Sequence, residues 1–125
     1  LIFGAMLRAH QRTLGGTWEG ESYLLDVKDI LYIDTADKRT FLYTLGRVYE
    51  SALRLYELEE ALAGLEFLRA SRSAIVSFRH VQSIRPELGG RLLVTMEGGE
   101  RLYVSRQCAA AWREKLRELE RSFVK

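Results

Sequence analysis

The sequence predicts a mainly β domain that contains two α-helices. Three observations favour this fold class: short runs of β-branched and aromatic residues, polar or glycine-containing spacers between several runs, and two stretches whose apolar residues recur with a period near 3.6. With 125 residues and 47% hydrophobic content, the chain is long enough for one core that buries roughly two-thirds of its unfolded surface. One proline and ten dispersed glycines leave no linker-like segment that would divide it.

Short runs of β-prone residues predict the strands. They are Tyr23–Leu25, Ile30–Ile33, Thr40–Thr44, Ala74–Phe78, Arg91–Met96 and Leu102–Val104. Three spacers, Thr35–Arg39, Glu87–Gly90 and Glu97–Glu100, contain the polar and glycine residues that antiparallel hairpins require. The pair Gly98-Gly99 gives the clearest hairpin signal.

Two segments show helical periodicity. The apolar faces consist of Leu55, Leu58, Leu62 and Leu65 in the first, and of Ala109, Trp112, Leu116, Leu119 and Phe123 in the second. We expect the first helix to begin near Ser51 and to end with the help of Gly64. The second should begin at Ser105, whose hydroxyl can cap the amides of the first turn.

Charge is distributed unevenly along the chain, although the net charge is only +2. The segment from Glu50 to Glu66 holds five glutamates and one arginine, whereas the segment from Glu66 to Arg106 holds seven arginines and four glutamates. A near-neutral total can therefore conceal one acidic and one basic surface, and a polyanion responds to the local potential. The alternative is that these are ordinary solvated charges.

Catalytic and metal chemistry have little support in the sequence. The single cysteine, Cys108, excludes an internal disulfide, and with two distant histidines it does not provide the ligand spacing of a zinc site. No glycine-rich phosphate loop precedes a helix, and no pair of nucleophile and base stands out. The sequence therefore predicts a protein that is not an enzyme and that needs no cofactor or metal ion.

Residues 1–21 are predicted to form an N-terminal segment, followed by the main domain at residues 22–125. Leu1–Leu7 is too short to cross a bilayer and lacks the features of a secretory signal. We expect a short helix or a junction to a missing upstream region there; the cytoplasmic end of a membrane helix is the alternative. A cytoplasmic location is expected, because one unpaired cysteine suits a reducing compartment.

Arginines and serines alternate with β-prone residues in two segments, Phe67–Phe78 and Leu102–Arg106. A packed strand with this composition would present short hydroxyl donors and cationic guanidinium groups at its end. Such groups bind phosphate oxygens and base edges, so the pattern indicates recognition of a polyanion.

Four motifs together resemble the LytTR domain of bacterial transcription regulators. They are Asp29–Ile33, the Leu55–Glu60 helix, Arg69–Val76 and Val104–Arg106, in the order and spacing of that family. The similarity extends from about Ser22 to Leu119. The helix motif and the segment Ile84–Arg91 most resemble the small regulators of this family that lack a receiver domain.

The resemblance implies an elongated stack of antiparallel β-sheets with two helices. In this family, loops rather than a recognition helix enter successive major grooves of double-stranded DNA. Family members are similar in binding paired imperfect direct repeats at promoters and in bending the DNA, which implies two copies per site. A sensory, receiver or membrane region upstream of this chain is compatible with the family pattern.

Carried over by position, the resemblance places three side chains against base edges. They are Lys38 or Arg39 in the first hairpin, Arg72 in the Ser-Arg-Ser core, and Arg106 in the Ser-Arg pair. An arginine can donate two hydrogen bonds to guanine O6 and N7, and each such pair contributes roughly 1–3 kcal/mol of discrimination. Residue types alone leave the choice between Lys38 and Arg39 open.

Five further residues are predicted to contact phosphate. Ser71, Ser73 and Ser105 are short hydroxyl donors that fix the register of a protein on DNA without reading sequence. Arg69 and Arg79 are candidate phosphate contacts as well. For each of these two arginines, pairing with a neighbouring glutamate is the equal alternative.

Two residues depart from the family pattern, and three tyrosines need an assignment. Ser77 stands where the family usually has asparagine, and Cys108 follows the Ser-Arg pair where tyrosine is usual. Either change could alter contacts to DNA without removing the basic surface. Tyr32, Tyr43 and Tyr103 alternate with apolar residues, which favours positions in a sheet core over a platform for stacking bases.

A second class of function is compatible with the same composition. A β-rich module can bind a protein or peptide through the edge of its sheet, without reading DNA. The two functions differ in their response to salt, because phosphate contacts weaken steeply as salt is added and an apolar protein interface does not.

Overall fold

Two antiparallel sheets and two α-helices form the fold in the computed structural model, which describes residues 12–124. The larger sheet has seven strands in the order β2-β1-β5-β4-β3-β7-β6, and the smaller has three in the order β10-β9-β8. The elements are β1 (Thr13–Trp18), β2 (Glu21–Asp26), β3 (Tyr32–Ala36), β4 (Arg39–Tyr43), β5 (Val48–Ser51), α1 (Leu55–Ala61), β6 (Phe67–Ser71), β7 (Ala74–Ser77), β8 (Val81–Pro86), β9 (Leu92–Met96), β10 (Arg101–Val104) and α2 (Arg106–Val124). The predicted fold class is confirmed.

Two predicted hairpins are confirmed, because β3 pairs with β4 and β9 with β10 in antiparallel register. The spacer Glu87–Gly90 also joins an antiparallel pair, but the strand before it is β8, which lies outside the predicted runs. Strands β1, β5, β6 and β8 were not predicted. The sequence of β1 contains two adjacent glycines, and the other three strands carry arginine, glutamate or proline within four to six residues. Pairing with neighbouring strands compensates for this weak local propensity.

The first helix begins later than predicted. Ser51 is the last residue of β5, and its hydroxyl accepts a hydrogen bond from the Leu53 amide at 3.0 Å. Helix α1 begins at Leu55, where the Glu57 carboxylate accepts from the Arg54 amide at 2.8 Å. A glutamate at this position holds the first turn as half of a capping box, a signal that outweighs the preference for serine.

The start of the second helix agrees with the prediction. The Ser105 hydroxyl accepts a hydrogen bond from the Cys108 amide at 3.4 Å, and the Ser105 carbonyl accepts from the Ala109 amide at 3.0 Å. Ser105 is therefore the N-terminal cap of α2, and Arg106 is its first helical residue.

Two hydrophobic clusters lie on opposite faces of the larger sheet. The first packs α1 against the sheet and includes Ile33, Leu42, Leu58, Leu62 and Ile75. The second packs the smaller sheet and α2 against the other face and includes Leu31, Val76, Val94, Val104 and Trp112. Because Tyr32 pairs with Val76 and Ile33 with Ile75, alternate residues of β3 and β7 enter different clusters. Hydrophobic packing therefore holds β3 and β7 on both faces of the larger sheet.

Two of the three tyrosines occupy the sheet core as predicted. Tyr32 is buried, and its ring stacks on that of Tyr43 with centroids 4.2 Å apart. The expectation is wrong for Tyr103, which lies on the solvent face of β10, is 50% exposed and is covered on one side by the Arg91 guanidinium at 4.3 Å. Alternation identified the strand here but not which of its faces is buried.

The N-terminal prediction is only partly within the described residues. The helix or junction was predicted within residues 1–21, of which residues 1–11 lie outside the described residues. Residues 13–18 form β1, which pairs along its full length with β2. Neither α-helix within residues 12–124 is both long enough and apolar enough to cross a membrane.

Candidate nucleic-acid interface

Lys38 lies at the tip of the β3–β4 hairpin. Asp37 and Lys38 have φ values of +53° and +64°, the left-handed conformation that a two-residue hairpin turn demands. The Lys38 side chain is exposed, and no hydrogen bond or ion pair joins it to another of residues 12–124. The turn therefore projects a free ammonium group into solvent.

Arg39 is held by the protein itself. Its Nε and Nη2 donate to the two carboxylate oxygens of Glu50 at 3.0 and 2.6 Å, and its guanidinium lies 5.5 Å from the centre of the Phe41 ring. The hydrogen bond to Glu50 raises the pKa of Arg39, and the same bond lowers the pKa of Glu50. Because Glu50 already neutralises the charge of Arg39 and occupies two of its donors, Arg39 is less suited than Lys38 to base recognition.

Arg72 lies at the tip of the β6–β7 turn, between two serines. The Ser73 amide donates to the Ser71 hydroxyl at 3.2 Å, and the two hydroxyl oxygens are 3.4 Å apart. The Arg72 side chain is exposed and has no ion pair with any of the described residues. The turn therefore presents one free guanidinium between two short hydroxyl groups.

Arg106 occupies the first position of α2. It is exposed, and its aliphatic stem lies against Gly90, where an added Cβ would be only 3.0 Å from Arg106 Cγ. Gly90 has φ of +82°, so the turn before β9 depends on glycine for its conformation as well as for this close approach. The packing of its stem gives Arg106 a defined direction.

Backbone hydrogen bonds tie these three sites together. The Thr35 amide donates to the Ser73 carbonyl at 3.0 Å and so joins the β3–β4 hairpin to the β6–β7 turn. The Ser105 amide donates to the Ala70 carbonyl at 2.7 Å and so joins the start of α2 to β6. We refer to residues 36–39, 71–74 and 104–107 as the three-loop edge.

Some predicted residues do not project freely from this edge. Arg69 is half-buried behind the β6–β7 turn and forms an ion pair with Glu59 of α1 at 3.3 Å. Arg79 lies beyond the opposite end of β7, where it lines a groove with Arg12 and Lys28. The structure therefore brings Lys38, Arg39, Arg72 and Arg106 and the three serines to one edge, with Arg69 beneath it, and leaves Arg79 apart.

Three polar residues at or beside the three-loop edge were not among the predicted DNA contacts. Gln107 lines a groove with Arg72 and Ser105, and Arg54 and Tyr56 line a second groove that contains Lys38. Gln107 was detectable, since it directly follows the Ser-Arg pair. Arg54 directly precedes α1, and Tyr56 lies in its first turn. Because the surrounding segment is acidic, its composition did not indicate contact with DNA.

Most cations of α2 within the described residues are paired with carboxylates. Lys115 contacts Glu66 at 3.0 Å, and Arg117 and Arg121 contact Glu114 at 2.9 and 3.2 Å. These arginine contacts lower the pKa of Glu114. The unpaired cations at the three-loop edge thus contrast with cations neutralised along the helix.

The family model of the LytTr DNA-binding domain matches residues 20–117. The chain belongs to the LytTR family. The match agrees with the range over which the sequence motifs resemble that family. In a solved structure, the LytTr DNA-binding domain of a Bacillus cereus protein described as a methyl-accepting/DNA response regulator is similar to this LytTR domain with a TM-score of 0.78 and 26% identity. The similarity covers 83% of this chain and 95% of that one.

Some relatives are longer than this LytTR domain, so the similarity covers a smaller share of their sequence than of this one. The sensory transduction protein LytT of Bacillus anthracis is 28% identical over 93% of this chain and 47% of its own. An uncharacterized HTH-type transcriptional regulator of Staphylococcus aureus is 28% identical over 83% of this chain and 70% of its own. The LytTR domain thus spans about half the length of the LytT proteins that it matches.

The helices of this LytTR domain are not arranged as a helix-turn-helix within residues 12–124. Helices α1 and α2 are separated in the chain by five strands, and α1 is only seven residues long. The name of the Staphylococcus aureus relative therefore does not describe the geometry of this LytTR domain.

Proposed function

We propose that this LytTR domain binds double-stranded promoter DNA sequence-specifically and acts in the regulation of transcription. One observation supports this proposal most strongly. Three loops, held together in one edge by hydrogen bonds, project the cations Lys38, Arg72 and Arg106. None of these three cations has an acidic partner among the described residues. Their side chains enter successive major grooves and contact base edges. The proposed partner is cytoplasmic DNA, and the proposed activity is binding without a chemical reaction.

The side-chain chemistry favours this division of roles. Arg72 and Arg106 have free planar guanidinium groups, which can donate two parallel hydrogen bonds to guanine. Lys38 supplies a single compact ammonium group, which suits an acceptor such as guanine O6 or a phosphate oxygen. The proposal therefore assigns the hairpin contact to Lys38 and leaves Arg39 as a structural ion pair.

The serines of the edge are suited to phosphate. The Ser71 and Ser105 hydroxyl oxygens accept backbone hydrogen bonds from Ser73 and Cys108. The hydroxyl proton of Ser105, and that of one of Ser71 and Ser73, whose oxygens lie 3.4 Å apart, therefore remain available for donation to a phosphate oxygen. Contacts of this kind fix the register of the edge on the duplex without specifying its sequence.

Two copies on paired direct repeats form the proposed functional unit. Membership of the LytTR family supports this part of the proposal, because two copies on paired repeats and bending of the DNA are the binding mode expected in that family. Because the chain is about half as long as the LytT relatives, the signal that controls binding is assigned to regions outside it.

A footprint and a set of variants test the proposal. Footprinting on the promoter upstream of the coding sequence should protect a pair of repeats. On that duplex, Arg72→Ala and Arg106→Ala should each reduce the preference over a scrambled duplex by about 1–3 kcal/mol, or roughly five- to 150-fold. Arg117→Ala, on the paired face of α2, is the control that should keep the parent preference. A folded Arg72→Ala variant that discriminates as well as the parent would contradict the proposal.

The edge of the larger sheet offers a second candidate function. Strand β2 is the outermost strand of that sheet, and Leu24 on it is 72% exposed. A protein segment could pair with such an edge by forming an additional strand. If this were the main function, the partner would bind with little dependence on salt, and Leu24→Glu would abolish binding while leaving the affinity for DNA unchanged.

A further inference from the structure

We infer that Arg69 is a positioning residue for base recognition, and that Glu59 of α1 completes the unit by holding the Arg69 side chain. Arg69 sets the direction in which Arg72 projects and makes no contact with DNA itself. This inference rests on the proposed function, because it concerns how the three-loop edge achieves sequence discrimination.

The hydrogen bonds of Arg69 define the backbone on both sides of Arg72. Its Nη1 donates to the Ser71 carbonyl at 3.2 Å and to the Arg72 carbonyl at 2.8 Å. These carbonyls belong to the two peptide planes that flank the Arg72 Cα. When both planes are fixed, the direction of the Arg72 Cα–Cβ bond is fixed as well.

Strand pairing alone does not hold this turn. The register between β6 and β7 shifts between Arg69 and Ser71, which marks a bulge in the ladder at the base of the turn. A bulge leaves one residue without a partner and redirects the side chains that follow. The Arg69 guanidinium adds hydrogen bonds to the Ser71 and Arg72 carbonyls beside this bulge.

Glu59 and Trp112 hold Arg69 in place from two other elements. The Glu59 carboxylate lies 3.3 Å from Arg69 Nε, so the guanidinium spans α1 and the turn. The Arg69 carbonyl accepts a hydrogen bond from Nε1 of Trp112, a fully buried residue of α2, at 2.9 Å. Arg69 therefore connects the element that carries Arg72 to the helix that carries Arg106.

The environment of Arg69 argues against a phosphate contact. Its side chain is only 27% exposed, whereas Arg72 is exposed. Its charge faces a carboxylate, and two carbonyls occupy Nη1. A phosphate would have to displace these partners, and the turn that carries Arg72 would then lose its support.

Glu59 allows a test in which two explanations predict opposite results. If Glu59 is only a negative charge near DNA, then Glu59→Gln should tighten binding to any duplex. If Glu59 holds Arg69, the same change should weaken discrimination between the specific and the scrambled duplex. Glu60→Gln is the matched control, since Glu60 is an exposed neighbour on α1 whose carboxylate contacts none of the described residues.

Binding should be measured for the parent, Arg69→Met, Glu59→Gln, the double variant and Glu60→Gln at several salt concentrations. We expect Arg69→Met and Glu59→Gln to lower the ratio of specific to scrambled affinity by roughly three- to tenfold, part of what one bidentate arginine contributes. The double variant should fall no further than Arg69→Met, because both residues act through one unit. The slope of log affinity against log salt should not change.

Two outcomes would overturn the inference. A slope that falls by about 0.9 in Arg69→Met, with an unchanged ratio, would make Arg69 a phosphate contact. A Glu59→Gln variant that tightens binding to both duplexes, as Glu60→Gln should, would make Glu59 a repulsive charge only. Urea unfolding of each variant verifies that the fold is retained.

A measurement without DNA separates this inference from the proposed function. The backbone order parameter of Arg72 should fall in Arg69→Met from about 0.85 toward the flexible range near 0.6, and it should stay high in Glu60→Gln. If the parent fails to discriminate duplexes while this change occurs, the proposed function is wrong, and what stands is only that Arg69 fixes the direction in which Arg72 projects. If Arg72 keeps the parent value in Arg69→Met, the positioning role is wrong.

Discussion

At the scale of single residues, the arginines of this domain differ in whether another group of the protein already binds their guanidinium groups. Arg39 pairs with Glu50, Arg47 lies 3.7 Å from the centre of the Trp18 ring, and Arg69 bonds two carbonyls. Arg72 and Arg106 have no such partner among residues 12–124. The same residue type therefore stabilises the fold at some positions and remains available for DNA at others.

Lys38 and Arg39 are adjacent, and the structure predicts different consequences for their removal. Lys38→Ala should lower the affinity for the specific duplex and reduce the salt slope by up to about 0.9, because a free cation at the edge is lost. Arg39→Ala should leave the slope unchanged and lower the urea midpoint slightly, because Glu50 loses its partner. Equilibrium binding and urea unfolding of both variants check the assignment. A fall in salt slope confined to Arg39→Ala would reverse it.

Asp34 gives a prediction for the pH dependence of stability. It is half-buried, and its Oδ1 accepts no hydrogen bond within the described part of the chain. Burial raises its pKa, while the hydrogen bond from Tyr43 lowers it, and burial is the larger effect. A carboxyl whose pKa is higher in the folded state binds its proton more tightly there. The free energy of unfolding therefore falls as the pH rises from about 3.9 through the folded-state pKa.

Asp34→Asn removes this ionisation and retains an oxygen that can accept from Tyr43. We expect the variant to be more stable than the parent at pH 7 and to lose the fall in stability above about pH 4. Urea unfolding across pH 3.5–7.5 measures both effects. Asp37→Asn, in the exposed turn of the same hairpin, is the control. A parent-like pH profile in Asp34→Asn would show that burial of Asp34 has no energetic consequence.

At the scale of elements, local composition predicted the strands that are rich in β-branched and aromatic residues and the hairpins with glycine or polar turns. It missed β1, β5, β6 and β8, because adjacent glycines in the first and arginine, glutamate or proline in the others suppress the local signal. These strands exist because pairing with neighbouring strands satisfies their backbone. The start of α1 was misplaced because Glu57, rather than a serine, holds its first turn.

The two adjacent glycines of β1 should respond differently to substitution. A Cβ at Gly16 would lie 2.8 Å from Tyr49 Cβ and 3.0 Å from Leu25 Cδ1, whereas a Cβ at Gly15 would meet nothing within 4 Å. Gly16→Ala should therefore destabilise the domain by about 1–3 kcal/mol through overpacking. Gly15→Ala should change stability by no more than about 0.5 kcal/mol. Equal effects in urea unfolding would show that β1 does not pack on β5 as described.

At the scale of the whole molecule, the sequence predicted that acidic and basic regions exist, but it did not predict which charges are paired in the folded protein. The sequence showed an acidic segment and an arginine-rich segment. It could not show that Glu50 and Glu59 neutralise particular arginines, because Arg39 and Glu50 lie eleven positions apart and Glu59 and Arg69 ten, on different elements. The family resemblance named Lys38, Arg72 and Arg106 from the sequence, but only the folded molecule shows that these three have no acidic partner among residues 12–124.

Arg79 and Arg106 are exposed arginines at separate places, and their comparison tests whether DNA contacts one edge or the whole length of the domain. The strands β3 and β7 run from the three-loop edge to the groove that Arg79 shares with Arg12 and Lys28. If DNA lies along the edge alone, Arg79→Ala should leave both the salt slope and the preference for the specific duplex at parent values.

Arg106→Ala should lower that preference by about 1–3 kcal/mol under the same conditions. Binding isotherms at four or more salt concentrations give slope and preference together. A slope reduced by about 0.9 in Arg79→Ala would place phosphates at the far groove as well. In that case the duplex would have to bend around the domain to reach both ends, and the one-edge geometry would be wrong.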